Sequence, residues 1–574
     1  MNGSDRLTRT RALALLAAIT VVGGWMRFYN LTWSGPYYHF HIDEHFVFAP
    51  ADLMRRSLHD AAMAPKFFMY SPLPMYALNI LRGLYEALNH ALDLRIPADE
   101  IVYSRLGRGI SAALGTLTIP VVYAIAARVA GRAAGVWSAA FFACSVVVIR
   151  EAHFFSVDNS MLFFAALTLL ASLQIAERGG VWPSVFAGLA FGGAILCKYS
   201  GAFLAAPIGI AWLASPDRPW PNGAGKSWVR WIALGALPLV VTVVTFFALD
   251  PQVLMYWTKF RDDIRTWVTE PLSGTTKPLW VAQFADVTNP RLYWFTNLLW
   301  WAVGPALEIW ALAGFVWLLL RRDRRALVCA VFGLAYYAAA GATIAPMMRY
   351  TLPLAPALAI AGGVLSADLI ARRGVIRLVA TTLSLVVLAG TGLYAAAYMN
   401  VFRQPDSRVV AARYIRRNIP KGAAVMIEPS HNTPPMGDYF DQTDFYREYV
   451  WFDDVPHYNS SYQVFSIDVY RRLYQPRPDE EKRAYIDSKV KNAEWIVMDD
   501  TFLQFYQHLP ASQHGVVKQY YQDLFDGKLG FELDRTFKVY PSLFGREIND
   551  DGAELTFRLF DHPRIFIFKR RSAG

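Results

Sequence analysis

Cysteine is almost absent from this chain. Only Cys144, Cys197 and Cys329 occur in 574 residues, each inside an apolar run, and the polar C-terminal third has none. That distribution argues against a disulfide framework and against a metal–thiolate site. No internal repeat and no low-complexity linker divides the sequence. No H-E-x-x-H zinc signature occurs, and no RNA- or DNA-binding motif, so the net charge of +10 does not point to nucleic acid. Charged residues are few, at 18%, whereas 54% of residues are hydrophobic and the mean hydropathy is +0.24. Those values exclude an ordinary soluble enzyme and fit a polytopic membrane protein with a polar appendage.

What the chain has in quantity is long apolar runs. A membrane-crossing helix needs about 20 apolar residues. The candidates are 12–28, 104–127, 135–151, 160–176, 183–197, 200–214, 230–249, 293–320, 326–345, 350–370 and 376–398, which makes about eleven spans. The fifth and sixth are short enough to form one broken hairpin. Arg6, Arg9 and Arg11 precede the first run, and no small-residue cleavage site follows before Trp25-Met26-Arg27. The run therefore reads as an uncleaved first span. With the N-terminus in the cytoplasm, the inner loops carry Arg128 and Arg132, Arg178, Arg218 to Arg230, Arg321 to Arg325, and Arg372 to Arg377. Every inner loop is then basic, as the positive-inside rule demands, and the tail from about residue 400 lies outside.

Two outer segments are amphipathic. Tyr70-Ser71-Pro72-Leu73-Pro74 opens Met75–Leu92, which carries Arg82, Glu86, Asn89 and His90. Those polar residues suit a helix lying at the interface within 30–100. The segment 250–292 is long and aromatic-rich, and has the same reading. Beyond 400 the texture changes. Ser407 is the expected N-cap of a helical pattern Val409–Arg417. Strand-like runs follow at Ala423–Ile427, Trp495–Met498, Phe531–Val539 and Ile565–Phe568, with helical patterns at Glu480–Lys491 and Val516–Phe525 between them. Residues 401–574 are expected to form a soluble α/β domain, after a transmembrane domain over 1–400.

Nearly all chemically capable residues fall on the outer side of this threading. Asp43 and Glu44 follow the first span, among Tyr37-Tyr38-His39-Phe40-His41 and His45. A carboxylate at a partly dry boundary suits a general base. Asp158, before the fourth span, fits an N-cap and a functional role equally. Lys198 and Arg349 break the inside-positive trend and suit phosphate binding, Arg by bidentate hydrogen bonds and Lys as a point charge. Arg105 and Arg108 are weaker candidates of the same kind. His39, His41 and His45 near two carboxylates offer ligands for a divalent metal, although packing at the interface explains them as well. Glu308, following Gly304-Pro305 inside an apolar run, is an intramembrane carboxylate and so a functional candidate. Trp451-Phe452-Asp453-Asp454 looks like the Trp-Trp-Asp motif of oligosaccharyltransferases, but lacks its second Trp and is read as coincidence.

These residues resemble a known superfamily. Phe40-His41-Ile42-Asp43-Glu44-His45-Phe46 resembles the Asp-Glu motif in the first outer loop of protein O-mannosyltransferases, and Tyr70-Ser71-Pro72-Leu73 their His-Pro-Pro-Leu. Ser104-Arg105 with Gly115, Tyr123, Arg128 and Gly131 is similar to their second span, and Asp158 to the acidic residue before the fourth. Lys198-Tyr199-Ser200-Gly201 is similar to a Thr-Lys-Gly segment of aminoarabinose transferases. Met348-Arg349-Tyr350-Thr351-Leu352-Pro353 resembles a common Arg-Tyr-Leu-Leu-Pro segment, and Phe557 to Pro563 resembles the tails of bacterial relatives. The resemblance covers most of residues 12–400. It implies the C-type fold of integral-membrane glycosyltransferases in a bacterial cytoplasmic membrane.

The activity it implies is inverting transfer of a sugar from a polyprenyl-phosphate carrier to the hydroxyl of a protein, glycan or lipid acceptor. Lys198, Arg349 and Arg105 would bind the donor phosphate. Asp43 would take the acceptor proton. Glu44 and Asp158 would orient sugar or acceptor, or hold a divalent cation if one is used; no other cofactor is implied. A non-catalytic transporter of lipid-linked sugars is the alternative, and Glu308 is the residue that favours it.

Overall fold

The computed structural model describes residues 7–35, 41–57, 68–94, 96, 100–219, 227–436 and 461–571. The chain divides into two compact units. One comprises Met1–Leu31, Phe46–Thr269 and Pro290–Ala396; the other comprises Thr32–His45, Glu270–Asn289 and Ala397–Gly574.

The first unit is helical. In order come α1 (Arg9–Phe28), α2 (from Ile42, in the other unit, to Ser57), α3 (Leu73–Ala91), α4 (Glu100–Ala143), α5 (Val146–Ala152), α6 (Val157–Arg178), α7 (Val181–Ile195), α8 (Ala205–Leu213) and α9 (Trp228–Leu249). Short helices over 252–269 and 290–303 lead to longer ones at Pro305–Leu320, Arg324–Ala340, Ala355–Ile370 and Val375–Arg403, the last ending in the other unit. Among the described residues six helices are long and apolar enough to cross a membrane, seven if the pair Pro290–Val303 and Pro305–Leu320, bent by 119°, is one span. Every apolar run of the sequence is helical, but several are too short for a full span by themselves: α7 and α8 are short, and 135–151 is the second limb of α4 followed by α5. Hydropathy registers residues that leave water, whether lipid or protein replaces it.

Glycine sets two features. α4 breaks at Ala130 and Gly131, where Gly131 has φ +84°, a conformation open mainly to glycine. Gly363 lies so close to α4 that an added Cβ would stand 2.5 Å from the Ser138 backbone nitrogen. At one end of the unit the basic loops meet. Arg128 pairs with Glu177 at 2.6 Å, Arg325 donates to the Arg128 carbonyl at 2.7 Å, and Arg132 donates to the Leu7 carbonyl at 2.9 Å. α6 runs from this end to Asp158. Its 22 residues rise about 33 Å at 1.5 Å each, close to the thickness of a bilayer core.

The polar residues of α3 have partners. Arg82 pairs with Asp52 and lies 4.3 Å from the Tyr103 ring centroid, and Glu86 accepts from Arg55 at 2.7 Å and from the Tyr103 hydroxyl at 2.6 Å. Its apolar Ile80, Leu84 and Leu88 are exposed.

The second unit contains a five-stranded sheet in the order β2-β1-β3-β7-β4. The strands are β1 (Ala424–Ile427), β2 (Gln463–Ser466), β3 (Trp495–Asp499), β4 (Phe531–Phe537) and β7 (Ile565–Arg570), with a separate hairpin of β5 (Ser542–Leu543) and β6 (Arg546–Glu547). β1 pairs in parallel with β2 and β3, while β7 runs antiparallel to β3 and β4. All five residues of β3 are buried, as expected of a central strand covered on both faces. Ile415 of the Ser407–Asn418 helix belongs to one buried cluster with Val425, Ile427, Val497 and Ile567 of the strands. Ser407 is not the cap of that helix. Asp406 is, accepting from the Arg408 N–H at 2.8 Å, while the Ser407 hydroxyl donates to the Pro563 carbonyl at 2.6 Å. β2, short and half-buried, was not legible as a strand.

Candidate functional site

In the first unit the candidates converge where α6 begins. Ser156, not Asp158, caps that helix, its hydroxyl accepting from the Asp158 N–H at 3.4 Å. Asp158 is thereby left in the first turn, where the helix dipole favours a carboxylate. Its side chain is 2% exposed and accepts from the Lys198 ammonium at 2.7 Å. The other carboxylate oxygen is buried without a hydrogen-bond partner among the described residues, as are the amide atoms of Asn159 and the hydroxyl of Ser160. Lys198 precedes a 3₁₀ turn, Tyr199–Leu204, that links α7 to α8. Its ammonium also lies 5.5 Å from the Tyr350 ring centroid, and the Arg349 guanidinium lies 5.8 Å from the same ring. The Tyr336 hydroxyl donates to the Tyr350 carbonyl at 2.7 Å and fixes the 3₁₀ turn Met348–Leu354 that carries Arg349 and Tyr350. Two cations near one aromatic ring, beside the Asn159 amide N–H and Ser160 hydroxyl donors that lack partners among the described residues, make a setting suited to an anion, with Lys198 countering the Asp158 carboxylate.

Arg105 is exposed, and the described contacts join it to none of these residues. Arg108 is buried and donates to the Leu31 carbonyl at 2.9 Å. Glu308 sits in the first turn after Gly304, at φ +83°, just where the Pro290–Leu320 pair bends. It is 4% exposed, with one carboxylate oxygen lacking a partner among the described residues. The sequence reading passed over Arg150 and Glu151, a fully buried ion pair on α5. Two opposite charges at the end of an apolar run were the available signal. Beside Asp250, which caps α9 and is pushed up to about 6 by burial against its Val253 N–H bond, Tyr76 donates to the Leu249 carbonyl at 3.0 Å.

Asp43 and Glu44 belong to the second unit, and both are buried. His41 stands just before α2. Its Nδ1 accepts from the Asp43 N–H at 3.1 Å, and its carbonyl accepts from the Glu44 N–H at 3.0 Å. The His41 ring packs on Phe560 with centroids 3.9 Å apart, and His431 lies 5.5 Å from the same Phe560 ring. His431 follows β1. Burial, then the charges of Arg408 and His41, push it down to about 3, against the opposing pull of Asp43. Arg408 is held by Asp406 at 2.6 Å and donates to Asn432 at 2.8 Å and to the Phe560 carbonyl at 2.7 Å. Behind it His562 bridges Asp561 at 2.6 Å and Asp550 at 2.8 Å, and those two carboxylates outweigh burial and raise it to about 9. Neither His431 nor Phe560 stood out as a site residue in the sequence, where Phe557–Pro563 showed only a resemblance to the tails of bacterial relatives. His45 is lowered by burial. Among the described residues no three His, Cys, Asp or Glu side chains gather to hold a metal ion. His39 and Trp451–Asp454 lie outside the described residues.

Residues 104–246 match the family described as dolichyl-phosphate-mannose-protein mannosyltransferase. The fold is similar to that of the Archaeoglobus fulgidus oligosaccharyltransferase in its apo form, with TM-score 0.51 and 12% identity over 89% of this chain and 73% of that one. A second structure from that organism, the oligosaccharyltransferase AglB in complex with an inhibitory peptide and a dolichol-phosphate, gives TM-score 0.50 and 12% identity over 89% and 72%. ArnT from Cupriavidus metallidurans bound to undecaprenyl phosphate aligns over 98% of each chain at 16% identity and TM-score 0.45. No curated protein sequence matches the chain. At these identities the two oligosaccharyltransferase structures speak for the fold alone. Together with the matched segment they show a C-type glycosyltransferase fold, within which residues 104–246 are similar to the protein mannosyltransferase family.

Proposed function

We propose that the protein transfers a sugar, with inversion, from a polyprenyl monophosphate carrier to an acceptor hydroxyl on a protein, glycan or lipid, at the outer face of a bacterial cytoplasmic membrane. The observation that carries this reading is the Asp158–Lys198 pair, with Arg349 and Lys198 on the Tyr350 ring, at the end of α6 opposite the arginine-rich loops. A phosphate there would meet two cations in a setting shielded from water, where charged hydrogen bonds are strongest. Arg105, exposed on the first turns of α4, has the weaker part in this reading.

The acceptor oxygen attacks the anomeric carbon as Asp43 takes its proton. The bond from that carbon to the phosphate oxygen breaks, and polyprenyl phosphate leaves with the electron pair, its charge met by Lys198 and Arg349. Glu44 and Asp158 orient sugar or acceptor. Lys198 already supplies countercharge to Asp158, and no step is assigned to a metal ion. The α/β domain would select or cover the acceptor. Asp43→Asn keeps the shape and removes the basicity. Its turnover should fall by roughly 10²–10⁴-fold while donor binding changes little. Near-normal turnover in the folded variant would move the base to Glu44 or Asp158. Glu308, a buried carboxylate at a broken helix, favours the transporter reading. That reading gains if Asp43→Asn leaves cellular glycans intact and Glu308→Gln abolishes them.

A further inference from the structure

We propose that His41 is a positioning residue for Asp43, and that Phe560 holds His41 in place. The proposal rests on the assignment of Asp43 as the base. His41 occupies the N-cap position of α2, and its Nδ1 accepts the N–H of Asp43, the second residue of the helix, at 3.1 Å. That is the bond an N-cap side chain makes, and Ser, Thr, Asp and Asn make it most often. An imidazole can do so only with Nδ1 unprotonated, so the tautomer is the one with its hydrogen on Nε2. The Asp43 carboxylate is 3.8 Å from Nδ1, beyond hydrogen-bond length, and an accepting Nδ1 has no proton to donate to it. The ring therefore fixes the backbone that carries Asp43 without neutralising the carboxylate.

A serine would cap equally well. The ring adds a face, and that face is covered. His41 is 1% exposed and packs on Phe560 at 3.9 Å between centroids. Phe560 is pinned through its own carbonyl by Arg408, which Asp406 and Asn432 lock in turn. Within this unit a continuous set of contacts thus runs from Asn432, in the segment after β1, through Arg408 and Phe560, to the N–H of Asp43. Its function is to hold the base still, because misplacement by about 1 Å can lower a rate about 100-fold.

The test uses full-length variants expressed in a deletion strain, in membranes that supply their own donor and acceptor. The initial rate of sugar transfer is read by mass spectrometry, and binding of undecaprenyl phosphate serves as the control for folding and donor affinity. His41→Phe keeps a ring on Phe560 and loses the acceptor; its rate should fall by roughly 10–100-fold with undecaprenyl phosphate binding retained. His41→Asn restores a capping acceptor and should recover to within about threefold of wild type. Phe560→Leu should slow transfer about tenfold. A wild-type rate in His41→Phe overturns the proposal, and so does His41→Asn as slow as His41→Phe. If His41→Phe does not accumulate, a wild-type rate in Phe560→Leu overturns it instead. Asp43→Asn is run beside them. Full activity there defeats the base assignment, whereas an inactive Asp43→Asn with a normal His41→Phe defeats only the positioning role.

Discussion

Lys198 and Asp158 show how one contact can carry two functions. The ammonium neutralises a carboxylate that is 2% exposed, and it stands on the ring that Arg349 also approaches. Removing Lys198 should therefore have two separable effects. Lys198→Ala and Arg349→Ala should each weaken donor use by about 1.5–3 kcal/mol, the scale of a charged hydrogen bond. Lys198→Ala should also destabilise the fold, because it leaves the Asp158 charge buried and unpaired. The double variant Lys198→Ala with Asp158→Asn should regain thermal stability in detergent without regaining donor affinity. Recovery of both would mean that Lys198 serves only Asp158. Wild-type donor use in Lys198→Ala and Arg349→Ala would assign both cations to lipid headgroups.

Among elements, the contact between α4 and the Ala355–Ile370 helix depends on a residue with no side chain. A Cβ on Gly363 would stand 2.5 Å from the Ser138 nitrogen and 2.8 Å from its Cα. Gly363→Ala should lower stability by about 1–3 kcal/mol, the usual cost of overpacking. Ser138→Gly removes the side-chain Oγ, the nearest atom, but should not rescue it, since the backbone nitrogen and Cα still stand in the way; rescue in a thermal melt would show the contact to be looser. The sheet has a different dependence. Glu428 follows β1, accepts from the Tyr521 hydroxyl at 3.1 Å, and is pushed up to about 8 by burial and then by Asp499. Asp499, at the end of β3, is raised to about 6 by burial. The folded chain thus keeps a proton on Glu428 that the unfolded chain releases near the ordinary glutamate value of 4.5. That stability is present below the unfolded pKa and is lost as pH rises toward 8. Glu428→Gln, permanently neutral, should gain melting temperature relative to wild type as pH goes from about 5 to about 8. A difference that stays flat over that range would place a charged Glu428 in the folded domain.

At the scale of the molecule the chemistry of the two ends of α6 sets a testable sidedness. Arg128, Arg132, Arg324 and Arg325 meet at the opposite end of α6 from Asp158, so both ends of one span are chemically marked. By the positive-inside rule the arginine end is cytoplasmic. Single cysteines in a variant lacking Cys144, Cys197 and Cys329 would test it, with an impermeant maleimide on intact cells. Exposed Arg322→Cys should label only after permeabilisation, and exposed Ser512→Cys should label at once. The reverse pattern would overturn the proposed topology, and with it the proposed reaction at the outer face.

Much of this was legible in local sequence. Apolar runs marked every membrane-length apolar helix of the first unit, because a segment that leaves water must satisfy its backbone internally, and a helix does so within the run; α3 was legible as an amphipathic helix instead. Arg349 and Lys198 stood out as basic residues against the trend, and β1, β3, β4 and β7 as strand-like apolar runs between turns. Partners were not legible. Hydropathy records that a residue leaves water and is silent on what replaces the water. It could not separate full spans from short helices such as α7 and α8, or reveal that Ser156 and Asp406 rather than their neighbours are the caps. Nor could it pair Asp158 with Lys198, or set Phe560 on His41. Those contacts join residues far apart in the chain, and only packing of the completed fold brings them within hydrogen-bond and van der Waals range.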